Sequence, residues 1–365
     1  MKKNNILFLL NSGVYPYRTG GMEVFNYYLI KLLKDRMDVR DFGCYPLDFQ
    51  GTKHYRYRSI RPSTFILPLQ LFLHFLLHPN ERNILVSFSS AHAIFWYLTA
   101  LVIKFFGIKS TTVIHYGKTV PKDHSDYYHY FFRVQRNVVA VSEDIKKNYD
   151  AAFGTNCRVI HPLVPFVDAT ESKEFYRKKY GVPQDTLVIS MVGTVKGMKN
   201  PDTLIDALAE MAEEERKEIK PFAVFAGRGS MIEEMKQRAE KKGMGEYVKF
   251  LGQVPKENVG EIMALTDIYL IASDFEGTSV SLLEAMYNKK KIIISRAPGL
   301  VDMISEGKEG LAFETRNASA LKECITEIAH NPQQAEVRAE AAFEKYMERY
   351  DYQKVVDAYE ALLSN

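Results

Sequence analysis

Cysteine is scarce in this chain: Cys44, Cys157 and Cys324 are the three among 365 residues, far apart and without a C-x-x-C pair. That leaves no disulfide framework and no structural zinc motif, and it suits a reducing, cytoplasmic compartment. Long apolar runs are also missing. The two longest, 65–77 and 93–106, hold Pro68, Gln70, His74 and Lys104. Both fall short of the ~20 apolar residues of a membrane-spanning helix. They read as helices buried in an α/β domain, with a monotopic membrane contact by the first as the weaker reading. The run at 6–10 stops at Asn11, too short for the core of a signal peptide, and reads as a first buried strand. A large charge of one sign is absent too. The 48 basic and 45 acidic residues leave +3, too little to argue for nucleic acid. With 46% hydrophobic and 25% charged residues, the composition excludes a disordered body.

What is present is alternation. Apolar runs of strand length lie at 6–10, 39–45, 84–88, 111–115 and 138–141, and then at 187–192, 222–226, 248–251, 268–271 and 292–295. Helical patterns separate them: 23–33, 90–106 and 143–153 in the first half, then 201–214, 231–242, 259–265, 279–288 and 318–330. Short apolar runs alternating with helices predict parallel sheets covered on both faces. His161-Pro162-Leu163-Val164-Pro165 continues neither element, because proline lacks a donor and restricts its neighbour. The expectation is an α/β chain of two Rossmann-like domains, 1–168 and 169–349, with a last helix at 350–365 packing back on the first. Ligands of doubly wound sheets bind outside the strands' carboxyl ends, so the gap between the two domains is where a site is expected.

Several strand ends carry chemistry. Thr19-Gly20-Gly21-Met22-Glu23 precedes a helix, and Gly20 and Gly21 let backbone N–H groups approach an anion such as a diphosphate. A simple flexible turn explains the same glycines. His115 closes a strand and suits a hydrogen bond to a sugar hydroxyl or proton transfer; a buried structural histidine is the commoner fate. Thr194, Lys196 and Lys199 lie in a strand–helix loop fit for phosphate, as a lysine-rich surface loop also would be. Gly227-Arg228-Gly229 begins like G-x-G-x-x-G, but Ile232 fills the third glycine position. The most informative stretch runs from Ser273 to Met286. Glu276 ends a strand, Gly277, Thr278 and Ser279 form a small turn whose N–H groups face phosphate, and Glu284 follows about two turns on.

Together these segments resemble the retaining GT-B-fold glycosyltransferases of family 4, along nearly the whole chain. Gly20-Gly21-Met22-Glu23 resembles the family's G-G-x-E loop, and His115-Tyr116-Gly117 its H-x-G strand end. Val141-Ser142-Glu143 is similar to its V-S-E segment. Gly193 to Ala207 follows G-R-L-x-x-x-K-G-x-x-x-L-I-x-A without gaps, with Thr194 at the arginine and Asn200 at the glycine. Glu276 and Glu284 match its paired glutamates in S-x-x-E-G…L-L-E-A-M. Ala297-Pro298-Gly299-Leu300 stands where the family often has two glycines before a helix.

The resemblance implies a nucleotide-sugar donor, UDP- or GDP-linked, and transfer with retention to a glycan or lipid-linked acceptor in cell-surface polysaccharide synthesis. His115, Lys199 and Glu276 would be catalytic. Gly20, Gly21, Thr194, Lys196, Lys199, Gly227, Glu276, Gly277, Thr278, Ser279 and Glu284 would hold the donor. No cofactor is implied beyond that co-substrate. No metal is expected, because lysines and helix N-termini supply positive charge and no D-x-D ends a strand; Asp168 and Asp302 are not such candidates. The basic, aromatic-rich segment 53–61 reads as a solvated loop or as a contact to anionic lipid, with RNA a third option. A peripheral place on the inner face of the membrane follows if lipid is chosen. Two rival readings remain: a non-catalytic nucleotide-sugar-binding subunit, favoured by Thr194, and an epimerase of the same architecture.

Overall fold

The structure, a computed structural model, describes residues 5–10, 21–43, 52–56, 63–88, 93–115, 125–163, 166, 168–276 and 278–364. The chain divides into two compact units, Met1–Pro165 with Tyr350–Asn365, and Phe166–Arg349. The first contains strands β1 (Asn5–Leu10), β2 (Asp38–Gly43), β3 (Lys53–Arg56), β4 (Asn83–Phe88), β5 (Lys109–Ile114), β6 (Asn137–Ala140) and β7 (Arg158–Val159). Its helices are α1 (Gly21–Leu33), α2 (Ser63–Leu77), α3 (Ala93–Phe106), α4 (Ser125–Arg133) and α5 (Glu143–Phe153), with the C-terminal Tyr352–Ser364. The second contains β8 (Leu187–Val192), β9 (Pro221–Ala226), β10 (Val248–Gly252), β11 (Ile268–Ile271), β12 (Lys291–Ser295) and β13 (Leu311–Phe313). Around them run α6 (Lys173–Tyr180), α7 (Pro201–Ala209), α8 (Glu213–Ile219), α9 (Ile232–Lys241), α10 (Val259–Leu265), α11 (Val280–Tyr287), α12 (Ala318–His330) and α13 (Pro332–Arg349). The C-terminal helix is α14.

Both sheets are parallel and doubly wound, in the orders β3-β2-β1-β4-β5-β6-β7 and β10-β9-β8-β11-β12-β13. The apolar strand runs have a direct cause. In β8, Val188 packs with Tyr176, Phe222, Val224 and Ile262 on one face, while its neighbour Ile189 packs with Leu204, Leu208, Phe225 and Ile325 on the other. Successive strand residues point to opposite faces, so a sheet covered on both needs apolar residues at each position. In the first unit, Trp96 is fully buried against Phe88, Phe95 and Phe131. Helix α14 belongs to this unit: the Tyr359 ring lies 5.7 Å from Phe25, and Asn83 donates to the carbonyl of Leu363 at 2.7 Å.

Three readings of the sequence change. The segment after Lys53 begins as edge strand β3 rather than as a loop, because Lys53–Arg56 pairs in register with Arg40–Gly43. Residues 173–180, assigned to no element from the sequence, form a helix, α6, capped by the Ser172 hydroxyl and closed by Gly181 in the left-handed conformation at φ 65°. Helices α2 and α3 are not buried all round: Leu69, Leu73, Leu76, Leu77, Leu101 and Phe105 are exposed.

A buried polar cluster fastens β3 and α2 to β2. Glu81 is 3% exposed, pairs with Arg40, and accepts from Tyr55 Oη at 2.7 Å; His74 Nε2 lies 2.7 Å from its other oxygen. Burial alone would raise the Glu81 carboxyl, but the hydrogen bonds from His74, Tyr55 and Arg40 outweigh it and hold the group at about 2. Its pKa lies below that of the unfolded chain. The stabilisation is therefore complete above the ordinary carboxylate range and is lost as pH falls toward 2. Removing one member of a buried ion pair costs roughly 3–5 kcal/mol. Urea unfolding of Glu81→Ala at neutral pH is expected to show a loss of that size, shrinking at acid pH; an unchanged midpoint would refute it.

Candidate functional site

In an open parallel sheet the crevice forms where neighbouring strands lead their connections to opposite sides. In the second sheet that point lies between β8 and β11. The segments leaving their carboxyl ends, 193–200 and 272–279, carry most of the residues singled out in the sequence.

The first segment is shaped by backbone contacts. Gly193 N donates to Ala226 O at 2.9 Å, and Val195 N to Arg228 O at 3.0 Å. A Cβ on Gly227 would stand 1.8 Å from Gly193 O, and one on Gly229 1.8 Å from Val195 O. Both glycines are therefore required by close backbone approach. Gly227, expected to touch the donor, has this structural duty. Val195 is buried and anchors the loop, leaving Thr194 and Lys196 exposed. A 3₁₀ turn, Gly197–Lys199, then leads to Asn200.

Asn200 explains one departure from the family pattern. Its φ is 45°, a left-handed conformation that glycine adopts freely and asparagine tolerates better than most residues. Its side-chain amide donates to Ala272 O and to Asp274 Oδ1, each at 2.8 Å. Asp274 also accepts two bonds from Arg316, at 3.1 and 2.7 Å. Asn200 thereby ties the loop after β8 to the loop after β11. The backbone does the same through Asp274 N, which donates to Met198 O at 2.9 Å.

Lys199 and Glu276 meet across these loops as an ion pair. Ser273 Oγ donates to the same Glu276 oxygen at 2.7 Å, and Glu276 N donates to Pro298 O at 3.1 Å. One carboxylate oxygen thus takes both side-chain contacts, while the backbone is tied separately. Lys199, Thr194 and Ser273 also line a small pocket of about 30 Å³ backed by Phe225 and Tyr269. Ser279 caps α11, accepting from Leu282 N at 3.4 Å, so the first-turn N–H groups of α11 open beside half-buried Thr278. Gly277 lies outside the described residues.

Glu284, five residues into α11, is 5% exposed and pairs with Lys256. Burial raises its carboxyl above the usual range, and Lys256 pulls it part of the way back. The Lys256 ammonium stands 5.8 Å from the centre of the Phe166 ring. Nothing in the sequence pointed to Lys256, although it sits in a strand–helix loop after β10, as Lys196 and Lys199 do after β8. Ser273, Asp274 and Arg316 were likewise not foreseen in these roles.

In the first unit, His115 directly follows β5, at a strand's carboxyl end. Its ring meets Phe25 edge-on at 4.7 Å, and Nε2 has no partner among the described residues. Burial lowers its pKa to about 3, so the imidazole is neutral at physiological pH. A neutral imidazole offers hydrogen bonds there rather than a cation. Gly21 begins α1; Gly20 and the rest of 11–20 lie outside the described residues, as do Tyr116 and Gly117. Among the described residues, no three His, Cys, Asp or Glu side chains converge as metal ligands would.

Residues 172–345 match the sequence model of the family Glycosyl transferases group 1. The D-inositol 3-phosphate glycosyltransferase of Corynebacterium urealyticum is 27% identical over 240 residues, 62% of this chain and 56% of that protein. The GDP-mannose-dependent alpha-(1-6)-phosphatidylinositol monomannoside mannosyltransferase of Mycolicibacterium smegmatis is 24% identical over 212 residues, 54% of each chain. The chain spans about half the length of these curated relatives. Among solved structures, Anabaena Alr3699/HepE in complex with UDP-glucose superposes with a TM-score of 0.79 at 18% identity, covering 99% of both chains. The fold is GT-B.

The buried Lys256–Glu284 pair makes a direct prediction. Lys256→Met leaves an unpaired buried carboxylate and is expected to cost about 3–5 kcal/mol, whereas Lys256→Met with Glu284→Gln recovers most of it. A double-mutant cycle by urea unfolding measures this; additive losses would dissolve the pair.

Proposed function

We propose that this chain is a glycosyltransferase that moves a sugar from a nucleotide-sugar to a hydroxyl of a glycan or lipid-linked acceptor, with retention of configuration. The observation that carries the reading is the contact of Lys199 with Glu276 beside the N-terminus of α11. A sugar diphosphate needs a cation and N–H groups at its phosphates and a hydrogen-bond acceptor at its sugar hydroxyls. These stand next to each other here. The match over 172–345 supports the same chemistry.

The chemistry follows from charge. Breaking the sugar–phosphate bond leaves an oxocarbenium-like sugar and an anionic nucleoside diphosphate. Pre-placed positive charge at that anion lowers the barrier. Lys199, with Lys196 and the N–H groups of Thr278 and Ser279, is assigned to this task; Lys196 replaces the charge that Thr194 lacks. Glu276 takes the sugar hydroxyls and Glu284 those of the ribose. The departing phosphate draws the proton from the acceptor hydroxyl on the same face of the sugar, which retains configuration. Neutral His115 holds a sugar hydroxyl by hydrogen bonding. Gly20, Gly21 and Gly277 are assigned N–H donors to the diphosphate.

A covalent route through Glu276 is the competing mechanism. Its carboxylate already accepts from Lys199 and Ser273, which lowers its nucleophilicity. The nucleotide is UDP or GDP: the Anabaena structure holds UDP-glucose, and the M. smegmatis relative is named for GDP-mannose. That relative's lipid substrate favours a lipid-linked acceptor, in line with a role in surface polysaccharide synthesis on the cytoplasmic side. No described helix is long and apolar enough to cross a membrane. The non-catalytic subunit remains the second reading, because Thr194 removes a phosphate-binding cation.

Release of UDP or GDP from a panel of nucleotide-sugars decides between them. Slow donor hydrolysis, unaffected by EDTA, is expected from the wild type. Lys199→Ala is expected to lower it ~100-fold or more, the scale of losing one anion-stabilising donor. A full rate in Lys199→Ala removes this residue from the mechanism. Absence of turnover across the panel, with the nucleotide still bound, installs the binding-subunit reading. A glycosyl adduct trapped on Glu276 replaces the one-face scheme.

A further inference from the structure

All strands of the first sheet pair in parallel, so their amino ends share one edge. Six exposed cations gather along its β4–β7 stretch: Arg82 before β4, Lys104 in the last turn of α3, Lys109 opening β5, Arg133 ending α4, Arg136 before β6 and Arg158 opening β7. The bias is already present in the chain. Residues 51–136 hold eleven basic and three acidic side chains, although the whole protein carries only +3. Of the three acids, Glu81 is buried in its cluster and Asp123 lies outside the described residues. Asp126 is the one carboxylate among the described residues around a basin of about 1070 Å³, which Tyr130, Arg133, Arg136 and Arg158 also line.

An apolar row runs beside the cations. Helices α2 and α3 contain no acidic residue. Leu77 is 76% exposed and Phe105 71%, with Leu69, Leu73, Leu76 and Leu101 also open to solvent. The Phe72 and Phe105 rings meet at 5.6 Å, tilted by 43°. Together with Leu101, Lys104 and Tyr130 they line a second groove, of about 570 Å³. Tyr130 belongs to both cavities, and the Lys104 ammonium lies 5.6 Å from the centre of its ring. The arginine basin and the apolar groove are therefore neighbours on one face.

We propose that this amino edge, formed by the α2–α3 apolar row and the basin of Arg133, Arg136 and Arg158, is a docking face for an anionic bilayer. The basin takes the phosphate of an anionic lipid, and the groove beside it takes the start of an acyl chain. Positive charge alone fits any polyanion. The leucine row selects a membrane, because exposed apolar patches of this extent are rare on freely soluble surfaces and leucines offer a nucleic acid no stacking platform. Lys104 bridges the two zones, its stem along apolar surface and its head at the level of phosphate. This face lies at the opposite end of β5 from His115, so docking leaves the carboxyl edge of the sheet uncovered. It does not draw on Arg56, Arg58 or Arg61, and it does not depend on the donor chemistry.

The test uses full-length protein pelleted with phosphatidylcholine vesicles, with and without about 30% phosphatidylglycerol. Binding is expected only to the anionic vesicles and is expected to weaken with salt. The triple variant R133Q/R136Q/R158Q should lower the partition coefficient at least ~10-fold. Leu77→Asp with Phe105→Asp should lower it comparably, while nucleotide release without vesicles stays at the wild-type level. Should the Phe105 change lower the melting temperature, Leu77→Asp alone carries the test. Wild-type partition in both variant sets overturns the proposal. So does binding lost only on neutralising Arg56, Arg58 and Arg61, or binding of single-stranded RNA through the six cations without vesicle binding.

Discussion

Opposite charges withdrawn from water organise the second domain's site. Lys199 faces Glu276, and Lys256 faces Glu284. A buried carboxylate alone would take up a proton or disrupt the packing around it. A lysine beside each one holds it in place as an ion pair. The same lysines suit phosphate, and the same glutamates suit hydroxyls. The pairing that holds these side chains thus also stocks the site with the groups a sugar nucleotide needs. Lys256 adds a cation from β10's loop, on the opposite flank of the sheet from β12.

Positioning these charges falls to the backbone. The loop after β8 is clamped against the loop after β9 so tightly that only glycine fits at 227 and 229. Asn200 turns the chain with a positive φ and then uses its amide to hold the loop after β11. Asp274 and Arg316 complete that brace. Each contact is modest alone. Together they fix where Lys199 and Glu276 meet, which an electrostatic site requires because charge misplaced by an ångström stabilises the wrong atom.

The first domain follows a different logic at its two edges. At the carboxyl edge, burial keeps His115 neutral and leaves one of its nitrogens without a described partner. At the amino edge, helices α2 and α3 turn leucine and phenylalanine outward among exposed cations. Between them, Glu81, Arg40, His74 and Tyr55 fasten β3 and α2 to the sheet. That cluster lets a helix with an apolar outer face remain in register without being buried on all sides.

The alternation of short apolar runs with helices determined the two parallel sheets, because residues on both faces of a covered strand must be apolar and a parallel connection requires a crossover. It also placed Lys199 and Glu276 in the segments that follow strands and Ser279 at a helix start, since turn and cap residues act locally. Edge strand β3 and helix α6 were harder to read, as their sequences are too charged for periodicity to show. Only the tertiary structure decided who pairs with whom. The Lys256 partnership spans 28 residues and the Lys199 contact 77. Which leucines of α2 face water likewise depends on what covers the rest of the helix. Local propensity is written in neighbouring residues, whereas charge pairing and exposure are set by groups that only folding brings within reach.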